Sequence, residues 1–248
     1  MKPERSALSF NQKIELPIFE EMGVELFIKR EDLIHPFVSG NKYRKLKYNL
    51  VEAKKQQHGA LLTFGGAYSN HIAATAFAAY ENGFKSIGVI RGHELEKKAQ
   101  LNPTLAFAKK HGMQFKFVKR EAYRNKSEEA FIYSLKEEFG DFYLLPEGGT
   151  NELAIKGCEE ILTVEDEVFD CICTSVGTGG TMAGLVNCSK NGQQVLGFQA
   201  LKGSFLGAEI HKFASKSNWK LIDAFTFGGY GKVSAELVQF INQFKKET

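Results

Sequence analysis

The chain contains, at residues 169–188, the stretch FDCICTSVGTGGTMAGLVNC. Residues 169–176 form an apolar run typical of a buried strand, and residues 181–188 are typical of a helix. The glycine-rich turn between them offers backbone N–H groups at a helix start, where the helix dipole favours negative charge. The stretch therefore predicts either a phosphate-binding loop or a tight turn that packs a strand closely against a helix.

The same order of strand, loop and helix recurs along the chain. Short apolar runs alternate with segments of helical periodicity, and Gly83, Gly112 and Gly140 follow three of those segments, where left-handed caps form. Repeated alternation predicts parallel sheet covered by helices, hence an α/β fold. The predicted strands are 61–64, 86–91, 115–119, 143–145, 169–176 and 195–200, and the predicted helices are 42–57, 70–80, 103–110, 128–139, 152–162, 181–188, 205–213 and 234–246.

Composition argues against several classes of partner. The chain has 248 residues with 32 basic and 29 acidic side chains, and a formal charge of +3 does not favour nucleic acid or a membrane surface. No apolar run has membrane-spanning length, and the first residues lead into no signal-peptide core. The four cysteines form no C-x-x-C pair and the histidines do not cluster. We therefore expect a cytoplasmic protein without a bound metal.

The glycine turn fits neither of the common nucleotide motifs. A P-loop requires Lys-Ser or Lys-Thr after its last glycine, but Gly180 is followed by Thr181-Met182. A dinucleotide site requires G-x-G-x-x-G and an acidic residue at the end of the next strand. Here the sixth position is Met182, and strand 195–200 ends without a carboxylate. A single phosphate without an attached ribose fits the turn better.

A lysine at a predicted helix start is the second candidate. Ser39-Gly40-Asn41 is a turn or helix-start signal and places Lys42 in the first turn of helix 42–57. A helix N-terminus disfavours an ammonium and would lower the pKa of the amine, as Schiff-base chemistry requires. Lys45 falls on the same helix face, where it could hold a phosphate. The alternative is a solvated lysine, one of 32 basic residues.

The third candidate is TFGGAYSNH, residues 63–71. A predicted strand ends there in a Gly-Gly turn, and Ser69 or Asn70 caps the helix that follows. The segment offers a hydroxyl, an amide and the imidazole of His71 beside a second helix start. The same residues fit a plain helix cap followed by a structural histidine, so both interpretations stay open.

Taken together, these segments resemble the pyridoxal-phosphate enzymes of the tryptophan synthase β-subunit type, known as fold type II. Within that family the chain is similar to the group of 1-aminocyclopropane-1-carboxylate deaminase and D-cysteine desulfhydrase. Each motif alone is weak, but all of them in register are specific. They are Lys29-Arg30-Glu31-Asp32, Gly40-Asn41-Lys42-x-Arg44-Lys45, Gly65-Gly66-x-x-Ser69-Asn70-His71, Pro146-Glu147-Gly148-Gly149 and Gly177-Thr178-Gly179-Gly180-Thr181.

The resemblance implies a cofactor, pyridoxal 5'-phosphate, and the residues that hold it. Lys42 would bind it covalently as an imine and later move protons at the substrate, while Lys45 would help to neutralise its phosphate. Asn70 would hydrogen-bond the phenolic oxygen of the pyridine ring. This cofactor is an electron sink, so the protein must supply a nucleophilic amine, orientation and a dry pocket. The phosphate would be cradled by the backbone N–H groups of Gly177, Thr178, Gly179, Gly180 and Thr181.

The resemblance also implies substrate contacts. Ser69 would hold the substrate carboxylate or assist proton transfer, with Asn70 and His71 beside it. The stretch FGGYG, residues 227–231, resembles a tyrosine-bearing loop of the group, so Tyr230 is a candidate catalytic residue that faces the substrate. The alternative for Tyr230 is an ordinary turn tyrosine.

The domain organisation follows mostly from the resemblance. We expect a large cofactor-binding domain made of residues 1–45 and 150–248 and a small domain of residues 46–149, each a largely parallel sheet flanked by helices. Members of the group usually continue to a further tyrosine-bearing segment and a Thr-Gly-Gly strand end beside the pyridine nitrogen. Neither is present before Thr248. We therefore expect the large domain to be truncated at its C-terminus.

The implied activity is that of a lyase or deaminase acting on a small amino acid. His71 after Ser69-Asn70 is closer to the desulfhydrase pattern than to the glutamine of the deaminases, so we favour conversion of D-cysteine to pyruvate, ammonia and sulfide by α,β-elimination. The alternative within the group is conversion of 1-aminocyclopropane-1-carboxylate to 2-oxobutanoate and ammonia. The alternative of another class is a truncated or decayed, non-catalytic binder of cofactor or amino acid. Homodimers are usual in the group, so we expect one here.

Overall fold

The computed structural model describes residues 8–38, 40–201, 203, 205–229 and 231–248. Tyr230, one of the predicted site residues, lies outside the described residues. Within them the chain divides into two compact units. The inserted unit is residues 35–161, and the flanking unit is residues 8–34 with 162–248.

The helices and strands alternate along most of the chain. The strands are β1 Asn11–Ile14, β2 Leu26–Lys29, β3 Ala60–Gly65, β4 Lys85–Arg91, β5 Met113–Val118, β6 Tyr143–Leu145, β7 Cys171–Val176, β8 Gln194–Gln199 and β9 Trp219–Ile222. The α-helices are α1 Pro17–Glu21, α2 Asn41–Lys55, α3 Asn70–Asn82, α4 Pro103–Lys110, α5 Arg120–Arg124, α6 Glu129–Phe139, α7 Glu152–Cys158, α8 Gly180–Cys188, α9 Phe205–His211 and α10 Ala235–Glu247. Short 3-10 segments include Glu31–Leu33, His93–Leu101, Glu147–Gly149 and Val164–Asp166.

The inserted unit is built on a parallel sheet with strand order β5-β4-β3-β6. Strand β3 is buried along its whole length, and β4 is buried except at its two ends. One face of the sheet packs Leu62 and Phe64 with Leu135 of α6, and the other packs Ile90 with Ile72 of α3. Because helices cover both faces, these central strands are continuously apolar, the pattern that made them visible in the sequence.

The flanking unit has a parallel sheet with strand order β7-β8-β9 and a separate antiparallel pair, β1-β2. Helix α8 packs closely on this sheet at Gly197, where an added Cβ would lie 2.3 Å from Sδ of Met182. The close approach explains why a glycine stands in the middle of β8. The turn at residues 177–179 therefore lies at the carboxyl end of β7, as the sequence predicted.

The architecture confirms the predicted α/β class, with parallel sheets flanked by helices. Strands β1, β2 and β9 were not predicted, because each is short and only partly buried. The predicted helix 152–162 was wrong at its end, since α7 stops at Cys158. There Glu160 and Ile161 donate to the carbonyls of Gly157 and Cys158, which tightens the chain into a turn.

The observed division of the chain falls at 34/35 and 161/162, whereas the expected domain boundaries were 45/46 and 149/150. The difference arises because α2 packs along α7, which keeps both helices in the inserted unit. At their contact, a Cβ added to Gly157 would lie 2.0 Å from the carbonyl oxygen of Arg44. The assignment of a large and a small domain stays a prediction.

Two negative findings apply to the described residues. No helix among them is long and apolar enough to cross a bilayer. Nor do they contain a group of three or more His, Cys, Asp and Glu side chains with the geometry of a metal site.

Candidate active site

Two lysines at the start of α2 share one acceptor. Nζ of Lys42 donates to the carbonyl oxygen of Gly148 over 3.4 Å, and Nζ of Lys45 donates to the same oxygen over 3.1 Å. Lys45 also donates to Oγ1 of Thr150 over 3.0 Å. Gly148 and Gly149 both have left-handed backbone angles, φ +67° and +69°, and this double-glycine turn presents the shared oxygen.

The amine of Lys42 has a lowered pKa, which favours the uncharged, nucleophilic form. Burial, and next the positive charge of Lys45, lower the pKa of Lys42 to about 7, while Cys158 acts in the opposite direction. Part of Lys42 remains accessible, whereas Lys45 is 1% exposed and burial lowers its pKa as well. Near neutral pH a large fraction of Lys42 is therefore uncharged. The sequence had attributed such a shift to the helix N-terminus, but burial and Lys45 are its main causes.

His71 is held from one side and closely packed on the other. Its Nε2 lies 2.9 Å from Oγ1 of Thr63, and that hydroxyl donates to the carbonyl oxygen of Leu145 over 3.0 Å. Since a hydroxyl has one hydrogen, Nε2 of His71 carries its own and donates it to Thr63. A Cβ added to Gly149 would lie 2.7 Å from Cε1 of His71, so only glycine fits there.

The other ring nitrogen of His71 is available as an acceptor. Nδ1 is buried and has no hydrogen-bond partner among the described residues. Burial first, and then the charges of Lys42 and Lys45, hold the pKa of His71 well below its usual value. The ring is therefore neutral at physiological pH, with a free lone pair on a side chain that is 1% exposed. A contact between His71 and substrate stays a prediction.

Ser69 and Asn70 stand at the start of α3. Oγ of Ser69 accepts a hydrogen bond from the backbone N–H of Ile72 over 3.4 Å, which is the plain capping role that the sequence allowed. Asn70 is the exposed first residue of the helix. A Cβ on Gly65 would lie 2.6 Å from Cγ1 of Ile72, so this glycine lets the strand pass close to the helix. The cap leaves the predicted ligand contacts of both side chains untested.

The glycine turn of the flanking unit has the form of an anion site. Gly179 has φ +83° and is the N-cap residue of α8, where it makes no side-chain cap hydrogen bond. A Cβ on Gly179 would lie 2.8 Å from Cγ1 of Ile210. The helix therefore begins without a side-chain cap from its N-cap residue, and a helix start of that kind can bind an anion through its first backbone N–H groups.

Some of the predicted site residues lie together in the inserted unit, and others belong to the flanking unit. Lys42, Lys45 and His71 belong to one cluster in the inserted unit, and Ser69 and Asn70 begin the helix that carries His71. The turn 177–181 belongs to the flanking unit. Sequence reasoning missed Thr63, Thr150 and the carbonyl of Gly148. Thr63 had been quoted as the first residue of the stretch 63–71, and Gly148 within the Pro146-Glu147-Gly148-Gly149 motif, both without a role.

The fold and these candidate site residues agree with one enzyme family. The family model described as pyridoxal-phosphate dependent enzyme matches residues 10–218, and the chain belongs to this family. A solved structure of a homologue of 1-aminocyclopropane-1-carboxylate deaminase superposes with a TM-score of 0.81 at 26% identity, covering 100% of this chain and 84% of that one. The expected fold type II architecture is thereby confirmed.

Two relatives narrow the class to a group. A candidate 1-aminocyclopropane-1-carboxylate deaminase of Thermotoga maritima is 36% identical over 67% of this chain and 54% of its own length. The bifunctional D-cysteine desulfhydrase/1-aminocyclopropane-1-carboxylate deaminase of Arabidopsis thaliana is 34% identical over 66% of this chain and 44% of its own. The chain thus spans about half the length of these two relatives. The predicted group is confirmed.

The described residues fit the family's cofactor, pyridoxal phosphate. An amine whose pKa lies near 7 can condense with an aldehyde, and Lys42 has such an amine. The buried Lys45 amine and the uncapped start of α8 both suit an anionic group. Nδ1 of His71 is a buried acceptor that a bound molecule would satisfy. We conclude that the cofactor is pyridoxal phosphate, while the role of each residue stays a prediction.

Proposed function

We propose that this protein is a pyridoxal-phosphate-dependent lyase that converts D-cysteine and water to pyruvate, ammonia and hydrogen sulfide. The observation that carries the proposal is the largely buried amine of Lys42, whose pKa of about 7 suits both nucleophilic attack and proton transfer. The relative in Arabidopsis thaliana, whose name includes D-cysteine desulfhydrase, supports the choice of reaction.

Each predicted site residue would have its own role in this reaction. The bound cofactor supplies an electron sink for the bonds at the substrate's α-carbon. The free amine of Lys42 would hold the cofactor through its aldehyde group and would move a proton at the substrate's α-carbon. Lys45 would supply positive charge for the phosphate, and the turn 177–181 would offer backbone N–H groups to it. Ser69, Asn70 and Tyr230 would contact the substrate or the ring.

A second candidate is deamination of 1-aminocyclopropane-1-carboxylate. It is favoured by the relative in Thermotoga maritima and by the solved homologue, since the descriptions of both refer to that enzyme. Against it stands His71, a neutral acceptor fixed by Thr63, at the position where the resemblance implies glutamine in deaminases. A cytoplasmic homodimer remains part of the proposal, and sedimentation equilibrium would test the dimer.

The substrate test compares products. The protein is loaded with pyridoxal phosphate and incubated with each amino acid, and sulfide and pyruvate are measured against 2-oxobutanoate. We expect sulfide and pyruvate in equal amounts from D-cysteine, with slower or no release of 2-oxobutanoate. The reverse preference would favour the deaminase. If neither amino acid gives a product although the cofactor is bound, the result would favour the non-catalytic binder.

The lysine assignment has its own test. Lys42→Ala should remove the absorbance band of the covalently held cofactor and abolish turnover, because the remaining lysine of the pair is fully buried. The matched control is Lys55→Ala, which removes an exposed amine from the same helix and should keep the band. A band that persists in Lys42→Ala would contradict the assignment.

A further inference from the structure

Several charged and aromatic side chains meet where the strands of the inserted unit end. The edge cluster consists of Arg91, Tyr123, Lys126 and Glu147. Arg91 is the last residue of β4, Tyr123 lies on α5 just after β5, and Glu147 follows β6. In a parallel sheet the carboxyl ends of all strands lie at the same end of the sheet, and open α/β sheets bind their ligands there. Sequence reasoning assigned no role to these four residues.

Within the edge cluster, the carboxylate of Glu147 is already occupied. The hydroxyl of Tyr123 donates to Oε1 of Glu147 over 2.8 Å, and Nζ of Lys126 lies 3.2 Å from Oε2. Tyr123 is 3% exposed, and its burial together with Glu147 raises the pKa of its hydroxyl, which stays protonated as a donor. Both oxygens of Glu147 therefore have partners.

Arg91 is held in place without being neutralised. Its guanidinium carbon lies 5.6 Å from the centre of the Tyr123 ring, within the range of a cation–π contact. It is exposed, and it has no carboxylate partner among the described residues. Since Tyr123 and Lys126 occupy Glu147, the positive charge of Arg91 remains available to a ligand.

That charge lies beside the asparagine turn, residues 65–70. Nη2 of Arg91 would be 3.8 Å from a Cβ placed on Gly66. The backbone N–H of Ser69 donates to the carbonyl of Gly66 over 3.1 Å, so the ends of this turn lie within about 7 Å of each other. Arg91 thus stands at one end, and Ser69, the predicted carboxylate contact, at the other. The separation suits an amino acid that carries a second anionic group.

We propose that Arg91 is a specificity-determining residue that binds an anionic group on the β-substituent of the substrate. The preferred substrates would then be β-substituted amino acids whose leaving group is an oxyanion such as phosphate or sulfate, because the planar guanidinium binds such groups through two parallel hydrogen bonds. This inference rests on the proposed lyase function and names the substrate class of the same site.

The reaction is the proposed elimination with a different leaving group. The α-proton is removed, the bond between the β-carbon and the substituent oxygen breaks, and phosphate or sulfate departs with the bonding electrons. Addition of one water to the remaining fragment gives pyruvate and ammonia. No oxidant or reductant is consumed, so the step balances with water alone.

The first experiment compares catalytic efficiencies of the cofactor-loaded protein. O-phospho-D-serine and D-serine O-sulfate are the anionic substrates, D-serine and D-cysteine the uncharged ones, and pyruvate is the common product. We expect kcat/KM to favour each anionic compound over D-serine, mainly through KM. Arg91→Gln should reduce that ratio about tenfold or more, and Arg91→Lys should reduce it less, because it keeps the charge but not the paired donors.

The matched control is Lys85→Gln, which removes one positive charge from the exposed opposite end of the same strand. It should leave both the ratio and the activity unchanged. An equal fall of the kcat/KM ratio in Lys85→Gln and Arg91→Gln would overturn the proposal, since it would show that any lost positive charge has the same effect. An unchanged ratio in Arg91→Gln would overturn it as well.

A binding measurement removes the dependence on turnover. 2-Amino-4-phosphonobutanoate has a carbon in place of the bridging oxygen and cannot eliminate, and isothermal titration calorimetry gives its Kd. We expect Arg91→Gln to raise Kd about tenfold and salt to weaken binding to the native protein. Tyr123→Phe should also raise Kd, because the ring is kept but Glu147 is released to pair with Arg91. No change in either variant would contradict the assignment.

The failure of this inference differs from failure of the proposed function. If D-cysteine or 1-aminocyclopropane-1-carboxylate is turned over but anionic compounds have no advantage, only the role of Arg91 is wrong. If no amino acid is bound or turned over while the cofactor is held by Lys42, the lyase function itself is wrong.

Discussion

One carbonyl oxygen, that of Gly148, accepts hydrogen bonds from both Lys42 and Lys45. Two amines that share an acceptor lie close together, and each disfavours the charge on the other. Lys45 has Thr150 as a second partner, whereas Lys42 has the longer and weaker contact. The positive charge of Lys45 therefore favours loss of the proton from Lys42.

The first prediction concerns this pair. Lys45→Met should raise the pKa of Lys42 above its value of about 7, because the neighbouring positive charge is removed while burial is largely kept. The measurement is labelling of Lys42 by an aldehyde and a reductant in cofactor-free protein across pH, followed by mass spectrometry. Labelling should rise through about pH 7 in the native protein and at higher pH in the variant.

The control for that experiment is Lys47→Met, which removes a partly exposed lysine of the same helix that pairs with Glu160. It should leave the labelling midpoint of Lys42 in place. A midpoint that stays near 7 in Lys45→Met would mean that burial alone sets the pKa.

At the scale of elements, the contact between α2 and α7 determines where the lysines lie. Gly157 of α7 faces the carbonyl oxygen of Arg44, one residue before Lys45, and a Cβ there would be 2.0 Å away. The obstacle is backbone, which cannot rotate aside as a side chain can. The two helices can approach this closely only because residue 157 is glycine.

The second prediction tests that packing. Gly157→Ala should lower the free energy of unfolding by about 2–3 kcal/mol, since the helices must separate to admit a methyl group. Urea denaturation followed by circular dichroism gives the value. Lys42 labelling should also shift, because α2 carries both amines.

A second glycine provides the matched control. Gly207 lies in α9 and has no atom within 4 Å of an added Cβ. Gly207→Ala should therefore be neutral or stabilising by up to about 1 kcal/mol, as helix propensity predicts. If both alanines had the same effect, the close contact at Gly157 would not be what limits that position.

At the scale of the whole molecule, Asp166 joins parts of the flanking unit that lie far apart in sequence. Its carboxylate accepts from Lys29 over 2.7 Å and from Asn11 over 2.9 Å, and it also accepts from the backbone N–H of Thr163. The side chain is 2% exposed by residue area. Asp166 thus ties the β1-β2 pair to the segment that precedes β7. Lys29, the first residue of a motif quoted for the family resemblance, has a structural role there.

The third prediction is a pH dependence. Burial acts to raise the pKa of Asp166, but Lys29, Thr163 and Asn11 outweigh it and hold that pKa below the usual 3.8. The carboxylate therefore stabilises the folded state above about pH 4, and this stabilisation is lost as pH falls through the folded pKa. Asp166→Asn should lower the free energy of unfolding at pH 7 by about 2–3 kcal/mol.

Urea denaturation of both proteins between pH 3 and 7 checks this. The native protein should lose stability towards pH 3 more steeply than Asp166→Asn, which has no charge to lose at that position. Parallel pH profiles would show that the acid sensitivity comes from other carboxylates.

Much of the fold was predictable because its signals are local. Continuous apolar runs gave β3, β4 and β7, and glycines with positive φ closed α3 and α6 where the sequence placed them. The short β1, β2 and β9 carry too few buried residues to produce a pattern. The end of α7 depended on turn bonds to Gly157 and Cys158, which composition does not reveal.

The sequence by itself determined the α/β alternation, the helix starts and the glycine turns, because each depends on residues a few positions apart. It also determined the family, through five short motifs that follow one another in register along the chain. Tertiary structure decided what those signals do. The acceptor of Lys42 lies 106 residues away, the charge that lowers its pKa acts only in a buried site, and Arg91 meets Tyr123 only where strands end side by side. Burial and charge act through space, so they exist only once the chain is folded.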